Sequence, residues 1–200
     1  SIAMGNPDDP LPLRSECSGK ALRGIDIEVR DPETGETLAH GEPGEIVARG
    51  CGVFSGYYND PEKTEVAFWE GGWFRTGDLG VLDVEGRVTF RGRLKDMLKV
   101  GGENVAAVEI EGYLALHPAV KLAQVVGLPD EKYGEVPVAF VELIPGAAAT
   151  EAEMIDFCLG DIASFKVPRH VRFVEDWPMG ATKILKSALR ERILAEIATA

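Results

Sequence analysis

The chain has 200 residues, 45% of them hydrophobic and 27% charged, enough for one sizeable core or two small ones. Its formal net charge of -12 at pH 7 argues against nucleic acid or an anionic membrane surface as the main partner, so a phosphate-bearing ligand must be met by local basic residues. Three widely spaced cysteines, Cys17, Cys51 and Cys158, exclude a disulfide scaffold and offer no metal-ligand spacing; with no apolar run near the roughly 20 residues that span a bilayer, a cytoplasmic location is the default expectation.

The first residues, Ser1-Ile2-Ala3-Met4-Gly5-Asn6-Pro7, lack the basic and apolar regions of a signal peptide and read as the start of an excised segment. Residues 1 to about 20 are rich in Pro, Asp and Gly without periodicity and read as loop. Residues 25–30 alternate apolar and charged side chains, as a half-buried strand does. Asp31-Pro32-Glu33-Thr34-Gly35-Glu36 then turns the chain, and residues 44–50 make a second short strand between glycines. Residues 79–83 and 87–91 bracket Val84-Glu85-Gly86 as a hairpin. Short strands at this spacing predict a small barrel or curled sheet.

The character of the chain changes at residues 91–105. Basic residues punctuate a short apolar run that breaks at Gly101-Gly102, a tight turn expected between a strand and an amphipathic helix at residues 106–116. Residues 119–127 and 136–143 are apolar, Val-rich runs expected to pair in a small sheet. Thr150-Glu151-Ala152-Glu153 has capping-box spacing ahead of Met154, Ile155, Phe157 and Leu159, which predicts a helix start. Residues 171–174 make a third strand. A terminal helix is expected at residues 184–197, its apolar face at Leu185, Leu189, Ile193 and Leu194 or Ile197. The expected fold class is α+β.

Several stretches match one family together, in order. They are Gly56-Tyr57-Tyr58-Asn59-Asp60-Pro61-Glu62-Lys63-Thr64, Gly72-Trp73-Phe74-Arg75-Thr76-Gly77-Asp78-Leu79, Gly92-Arg93-Leu94-Lys95-Asp96, Gly101-Gly102-Glu103-Asn104-Val105, Val108-Glu109-Ile110-Glu111, Phe165-Lys166-Val167-Pro168 and the segment from Pro178 to Lys186. The set resembles the adenylate-forming superfamily of acyl-CoA synthetases, luciferases and peptide-synthetase adenylation domains, and most of all AMP-forming acyl-CoA ligases. The resemblance implies that residues 1–92 are the β-rich, barrel-like end of a large domain. Residues 93–200 would be the mobile carboxy-terminal α+β domain, a small sheet flanked by helices. Members carry a Ser/Thr/Gly-rich phosphate loop and most of the acyl pocket in the rest of the large domain, and nothing here fits such a loop or a Gly-x4-Gly-Lys-Ser/Thr motif.

The same resemblance implies roles for single residues. Asp78 would accept hydrogen bonds from ribose hydroxyls; without the motif it is an Asp in an ordinary turn. Arg93 would bond ribose and phosphate oxygens with its planar, always-charged fork, and Arg91 is the weaker candidate. Lys95 stands where the carboxy-terminal domain pivots, a position that must absorb a large φ/ψ change, though from spacing alone it is a surface Lys. Lys183 would be the catalytic lysine, offsetting charge at the α-phosphate, with Lys186 its competitor. The family's Gly before this Lys is replaced by Thr182, and the segment from Pro178 is one residue short.

Lys99 matches a position facing the thioester-forming site, against a plain solvated Lys. Gly101 and Gly102 would let the pantetheine arm of CoA pass close to backbone. Tyr133, Phe165 and Arg169 fall where some CoA ligases hold the CoA nucleotide, with core packing the stronger reading of Phe165. His40, His117 and His170 have no visible partner, and Trp69, Trp73 and Trp177 read as core or interface residues.

The function implied is a two-step ligase using ATP, CoA and Mg2+: a carboxylic acid becomes an acyl-adenylate, which CoA converts to a thioester. Its expected partners are those small molecules and the rest of the same protein's amino-terminal domain, with a homodimer left open. Two alternatives stand beside it. One is an adenylation domain that loads a carrier protein; the other is a folded fragment or degenerate binding homologue without catalysis. The 200 residues alone are expected to be inactive, because the phosphate loop is missing.

Overall fold

The computed structural model describes residues 1–198. The chain divides into two compact units, Ser1–Lys95 and the chain from Asp96 onward. The fold is α+β, with a curled half-barrel sheet in the first unit and a smaller sheet in the second.

The first unit runs β1 (Ala3–Met4), α1 (Leu11–Glu16), β2 (Gly19–Ala21), β3 (Ile25–Arg30), β4 (Gly44–Gly50), α2 (Pro61–Val66), β5 (Phe68–Trp69), β6 (Trp73–Leu82) and β7 (Arg87–Arg93). Its antiparallel sheet has the order β1-β2-β7-β6-β4-β3, with β5 beside β6. The path is open at β1 and β3, so the sheet curls without closing into a barrel. The loop expected over the first 20 residues instead contains β1, α1 and β2. These short strands exist because β1 pairs with β2 and β2 with β7, long-range bonds that leave no local pattern.

Local chemistry explains the turns. Asp31 Oδ1 accepts from the amides of Glu33 and Thr34, and Asp83 Oδ1 accepts from those of Glu85 and Arg87, so each carboxylate closes its own hairpin. Helix α2, which periodicity does not mark, carries the usual start signals. Asp60 accepts from the Lys63 amide as its N-cap, and Pro61 occupies the first turn. Strand β4 departs from alternation, because Gly44 to Ala48 are all buried. Within that buried run lies a carboxylate, Glu45, 1% exposed.

The second unit contains β8 (Met97–Val100), β9 (Glu103–Ala106), α3 (Ala107–Leu114), β10 (Val120–Asp130), β11 (Gly134–Leu143), α4 (Glu151–Cys158), β12 (His170–Phe173) and α5 (Lys186–Ala198). Strands β10 and β11 pair antiparallel from Val120↔Leu143 to Asp130↔Gly134, while β12 runs parallel to β11 at Val138 to Val141. Alternate residues of these strands enter two separate cores. Val125, Ala139 and Val141 pack with Ile110, Leu114, Met154 and Cys158 of α3 and α4. Val126, Val138 and Phe140 pack with Leu189 and Ile193 of α5. With helices on both faces, the central strands read as continuous apolar runs.

Three details differ from expectation. Gly101-Gly102 turns the chain between β8 and β9, two strands, and the helix begins only at Ala107. Both glycines have positive φ, 61° and 91°, as a two-residue hairpin of this twist demands. Helix α5 buries only Leu189 and Ile193; Leu185, Leu194 and Ile197 are exposed. An i,i+4 pair is a narrow stripe, and the flanking Lys186, Arg190 and Arg192 go into ion pairs instead. In α4 the capping box forms as expected, yet Cys158 is buried in place of Leu159, which lies past the helix end.

Candidate functional site

In the first unit the motif residues Asp78 and Arg93 meet where the middle of β6 pairs with the end of β7. Asp78 and Arg93 are register partners across β6 and β7, and Arg93 Nε lies 2.7 Å from Asp78 Oδ1. That oxygen is buried and accepts no well-aligned hydrogen bond, whereas the guanidinium is half exposed and Nη1 donates to the Thr76 carbonyl. Burial raises the Asp78 pKa above the usual carboxylate value. Arg93 pulls it down, but the like charge of Glu45 adds to the rise.

Glu45 also builds the turn that carries Asp78. One of its oxygens accepts from the Gly77 amide at 3.1 Å, and the other faces Arg75 Nε at 3.0 Å. Arg75 in turn donates to the Pro32 carbonyl and lies 4.3 Å over the Trp69 ring. Thr76 Oγ1 donates to the Ile46 carbonyl and accepts from the Asp78 amide. The irregular stretch Arg75-Thr76-Gly77-Asp78 within β6 is therefore fastened to β4 by the Arg75 and Thr76 side chains and by the amide of Gly77, whose φ is +69°. Sequence reading missed Glu45, since a Glu inside a strand normally signals the solvent face. Lys95 is exposed in a 3-10 turn, Leu94–Asp96, at the division between the units, and Arg91 is exposed on β7.

In the second unit, Lys99 is exposed on β8 and its amide donates to Glu135 Oε2. The hairpin beyond it is open: a Cβ on Gly102 would meet nothing within 4 Å, so φ alone requires glycine there. The Gly101 amide donates to the Tyr133 carbonyl, which fixes the hairpin to the start of β11.

Tyr133, Phe165 and Arg169 come together around a cavity of about 520 Å3, with Val136, Ile155 and Val167 as apolar walls. Arg169 sits 5.4 Å over the Tyr133 ring, and Lys132 lies 4.9 Å from the same ring. Lys132 first, and then Arg169, draw the Tyr133 pKa down. Phe165 is half-buried and packs against the first core as well as lining the cavity. Lys132 carries no sequence signal of its own; its place after Asp130-Glu131 in a polar turn hides it.

The two candidate lysines near the terminus differ in surroundings. Lys183 is exposed on a turn closed by bonds from the Gly180 amide to the Lys183 carbonyl and from the Leu185 amide to the Pro178 carbonyl. Lys186 Nζ is 2.6 Å from Glu111 Oε1, with both side chains mostly buried. His117 Nδ1 accepts from the Ala119 amide and His170 faces Glu151, both structural placements, while His40 is exposed. Trp73 is buried, and Trp177 donates to Glu142. Among the described residues no group of three His, Cys, Asp or Glu side chains could hold a metal ion, and no helix is long and apolar enough to cross a membrane. Burial pushes the Cys158 thiol up to about 11, so it is no nucleophile.

Residues 1–58 match the model of the AMP-binding enzyme family and residues 109–183 that of the AMP-binding enzyme C-terminal domain. In these two stretches the chain is similar to the main and the carboxy-terminal domain of AMP-binding enzymes. It is 42% identical over 194 residues to the putative acyl-CoA synthetase YngI of Bacillus subtilis, covering 96% of itself and 35% of that relative. Among solved structures, ATP-bound MatB from Rhodopseudomonas palustris superposes with a TM-score of 0.82 at 40% identity, covering 88% of this chain and 35% of that one. The o-succinylbenzoate CoA synthetase MenE of Bacillus subtilis, in complex with its acyl-adenylate intermediate, gives 0.87 at 32% identity, covering 95% and 38%. The chain thus spans about a third of the length of the curated relatives it matches.

Proposed function

We propose that the chain serves as the carboxy-terminal portion of an ATP-dependent acid–CoA ligase. In the first step the acid's carboxylate attacks the α-phosphorus of ATP; the new C–O–P anhydride forms and pyrophosphate leaves. In the second, the CoA thiol attacks the acyl carbonyl, and AMP leaves. The observation that carries the nucleotide reading is the Asp78–Arg93 ion pair at 2.7 Å, in which the carboxylate side chain remains 28% exposed and the guanidinium is half exposed. Such a pair offers an acceptor to ribose hydroxyls and a fork to phosphate oxygens. The relatives' names, acyl-CoA synthetase and CoA synthetase, support the reaction class.

The remaining roles rest on the surroundings of each residue. Lys183, exposed on its turn, would bring an ammonium to the negative charge that builds at the α-phosphate. Lys95, exposed at the division between the units, would take up the φ/ψ change between the two steps. The open Gly101-Gly102 hairpin would admit the pantetheine arm past Lys99, and the cavity of Tyr133, Phe165 and Arg169 would take the CoA nucleotide, aromatic faces to adenine and guanidinium to phosphate. Magnesium would arrive with the triphosphate; none of this chain's residues is assigned to it.

The test is ATP–pyrophosphate exchange with a panel of carboxylic acids, run on the polypeptide of the whole open reading frame. Exchange that depends on one class of acid is expected, and Lys183→Ala should lower it by on the order of 100-fold or more. Absence of exchange with every acid would overturn the reading.

A further inference from the structure

Lys183 is the exposed cation of a turn whose two ends are both pinned. On the entry side Trp177 Nε1 donates to Glu142 at 2.7 Å, next to Pro178. On the exit side Lys186, the first residue of α5, meets Glu111 at 2.6 Å. The same Glu111 oxygen accepts from the Val125 amide at 2.8 Å, in the middle of β10. One carboxylate therefore joins α3, the edge strand β10 and the start of α5. Its side chain is 13% exposed and that of Lys186 is 22%, so the pair is largely shielded from water and from salt. Between the pins the backbone is closed on itself by the Gly180–Lys183 and Leu185–Pro178 bonds, and Ile184 packs on the second core.

We propose that the Glu111–Lys186 pair is a positioning device for Lys183. It fixes the exit of the turn to the core, and it withdraws Lys186 from competition, leaving one uncommitted ammonium rather than two within three residues of each other. The inference rests on the ligase reading above, in which Lys183 acts in adenylate formation and not in thioester formation. Loss of the pair should then harm the first step alone. Misplacement of a reacting group by about 1 Å costs on the order of 100-fold.

The experiment uses the polypeptide of the whole open reading frame and three variants, Lys186→Met, Glu111→Gln and Lys186→Arg. Two half-reactions are measured separately: acid-dependent ATP–pyrophosphate exchange, and thioester formation from supplied acyl-adenylate and CoA. Lys186→Met and Glu111→Gln should lower exchange by about 10- to 100-fold and leave the second step within about twofold, and Lys186→Arg should restore most of the loss. The rate of tryptic cleavage after Lys183 is monitored in parallel, and should rise about tenfold or more in the first two variants as the turn loosens, the cleaved state tracking the open population. Equal losses in both half-reactions would mean general destabilisation and overturn the proposal, as would unchanged exchange. If the wild-type protein exchanges with no acid, it is the ligase reading that fails. The anchor then stands or falls on whether cleavage after Lys183 accelerates.

Discussion

Glu45 offers the sharpest test of the physical account of the Asp78 turn. It is 1% exposed, and its partners are the Arg75 guanidinium at 3.0 Å and the Gly77 amide at 3.1 Å. Glu45→Ala removes both acceptors. A buried amide left unsatisfied costs about 1–3 kcal/mol. A broken buried ion pair costs about 3–5 kcal/mol, but Arg75 is 30% exposed and keeps the Pro32 carbonyl and the Trp69 ring, so the lower part of that range or less applies. The expected loss for the first unit is about 3 kcal/mol. Glu45→Gln keeps an oxygen for Gly77 but turns an NH2 donor toward Arg75, so it spares the amide while losing the Arg75 contact, for an expected loss of about 1–2 kcal/mol. Urea unfolding monitored by tryptophan fluorescence reads this directly in a Trp177→Phe background, where Trp69 and Trp73 report on the first unit alone. Equal losses for the two variants, or less than about 1 kcal/mol for Glu45→Ala, would refute the claim that this carboxylate fastens the turn.

Asp78 should give a pH signature. Its pKa is raised by burial, so the charged form is less favoured than in the unfolded chain; this residue's contribution to stability is fully present below its unfolded pKa and is lost as pH rises through the higher folded value. Nucleotide affinity should run the other way, weakening as pH falls and the acceptor is protonated, and Asp78→Asn should flatten that acid limb in isothermal titration with AMP. Thiol labelling of the native chain should reach exposed Cys51 first and spare Cys158, whose pKa of about 11 and burial leave almost no thiolate at a pH of about 8; mass spectrometry of the modified peptides checks the order. Thr150→Ala should destabilise the second unit by about 1 kcal/mol through loss of the N-cap. The bonds from Thr150 hold the Glu153 carboxyl below its usual range, a contribution present above the unfolded pKa and lost as pH falls through the folded one. Thr150→Ala keeps the backbone bond, the larger cause, and removes only the hydroxyl one, so the mutant's stability curve should be slightly less steep in acid, measured by thermal melts below a pH of about 5.

Elements whose cause is local could be read from the chain. Residues 25–30 alternate and form β3 with those bounds, the glycines at 44 and 50 delimit β4, and the Thr150–Glu153 spacing produces a capping box. Strands β1 and β2 owe their existence to partners far along the chain, and the Pro- and Gly-rich composition around them pointed elsewhere. The Gly-Gly turn was visible, but the strand on its far side was not: Glu103–Ala106 is short and begins with two polar residues, and only the β8 register makes it a strand. The motif residues could be named from sequence. The carboxylates that hold them, Glu45, Glu111 and Glu135, could not, because a Glu in a strand or helix pattern reads as solvent-facing until its partner arrives from a distant segment.

The contrast between Lys183 and Lys186 shows what this difference means chemically. In sequence the two are equivalent ammonium groups three residues apart, and a motif resemblance alone ranks one above the other. In the structure, Lys186 is committed to a shielded carboxylate while Lys183 stands exposed on a closed turn. A cation already neutralised at 2.6 Å by a largely shielded partner gains little by approaching a phosphate, since leaving would strip Glu111 of its counter-charge and leave it only the Val125 amide. A solvated lysine has no such tie and can give its full charge to a developing anion. On the proposed ligase reading, the division of labour between the two lysines would be set by Glu111, on a helix that carries neither of them.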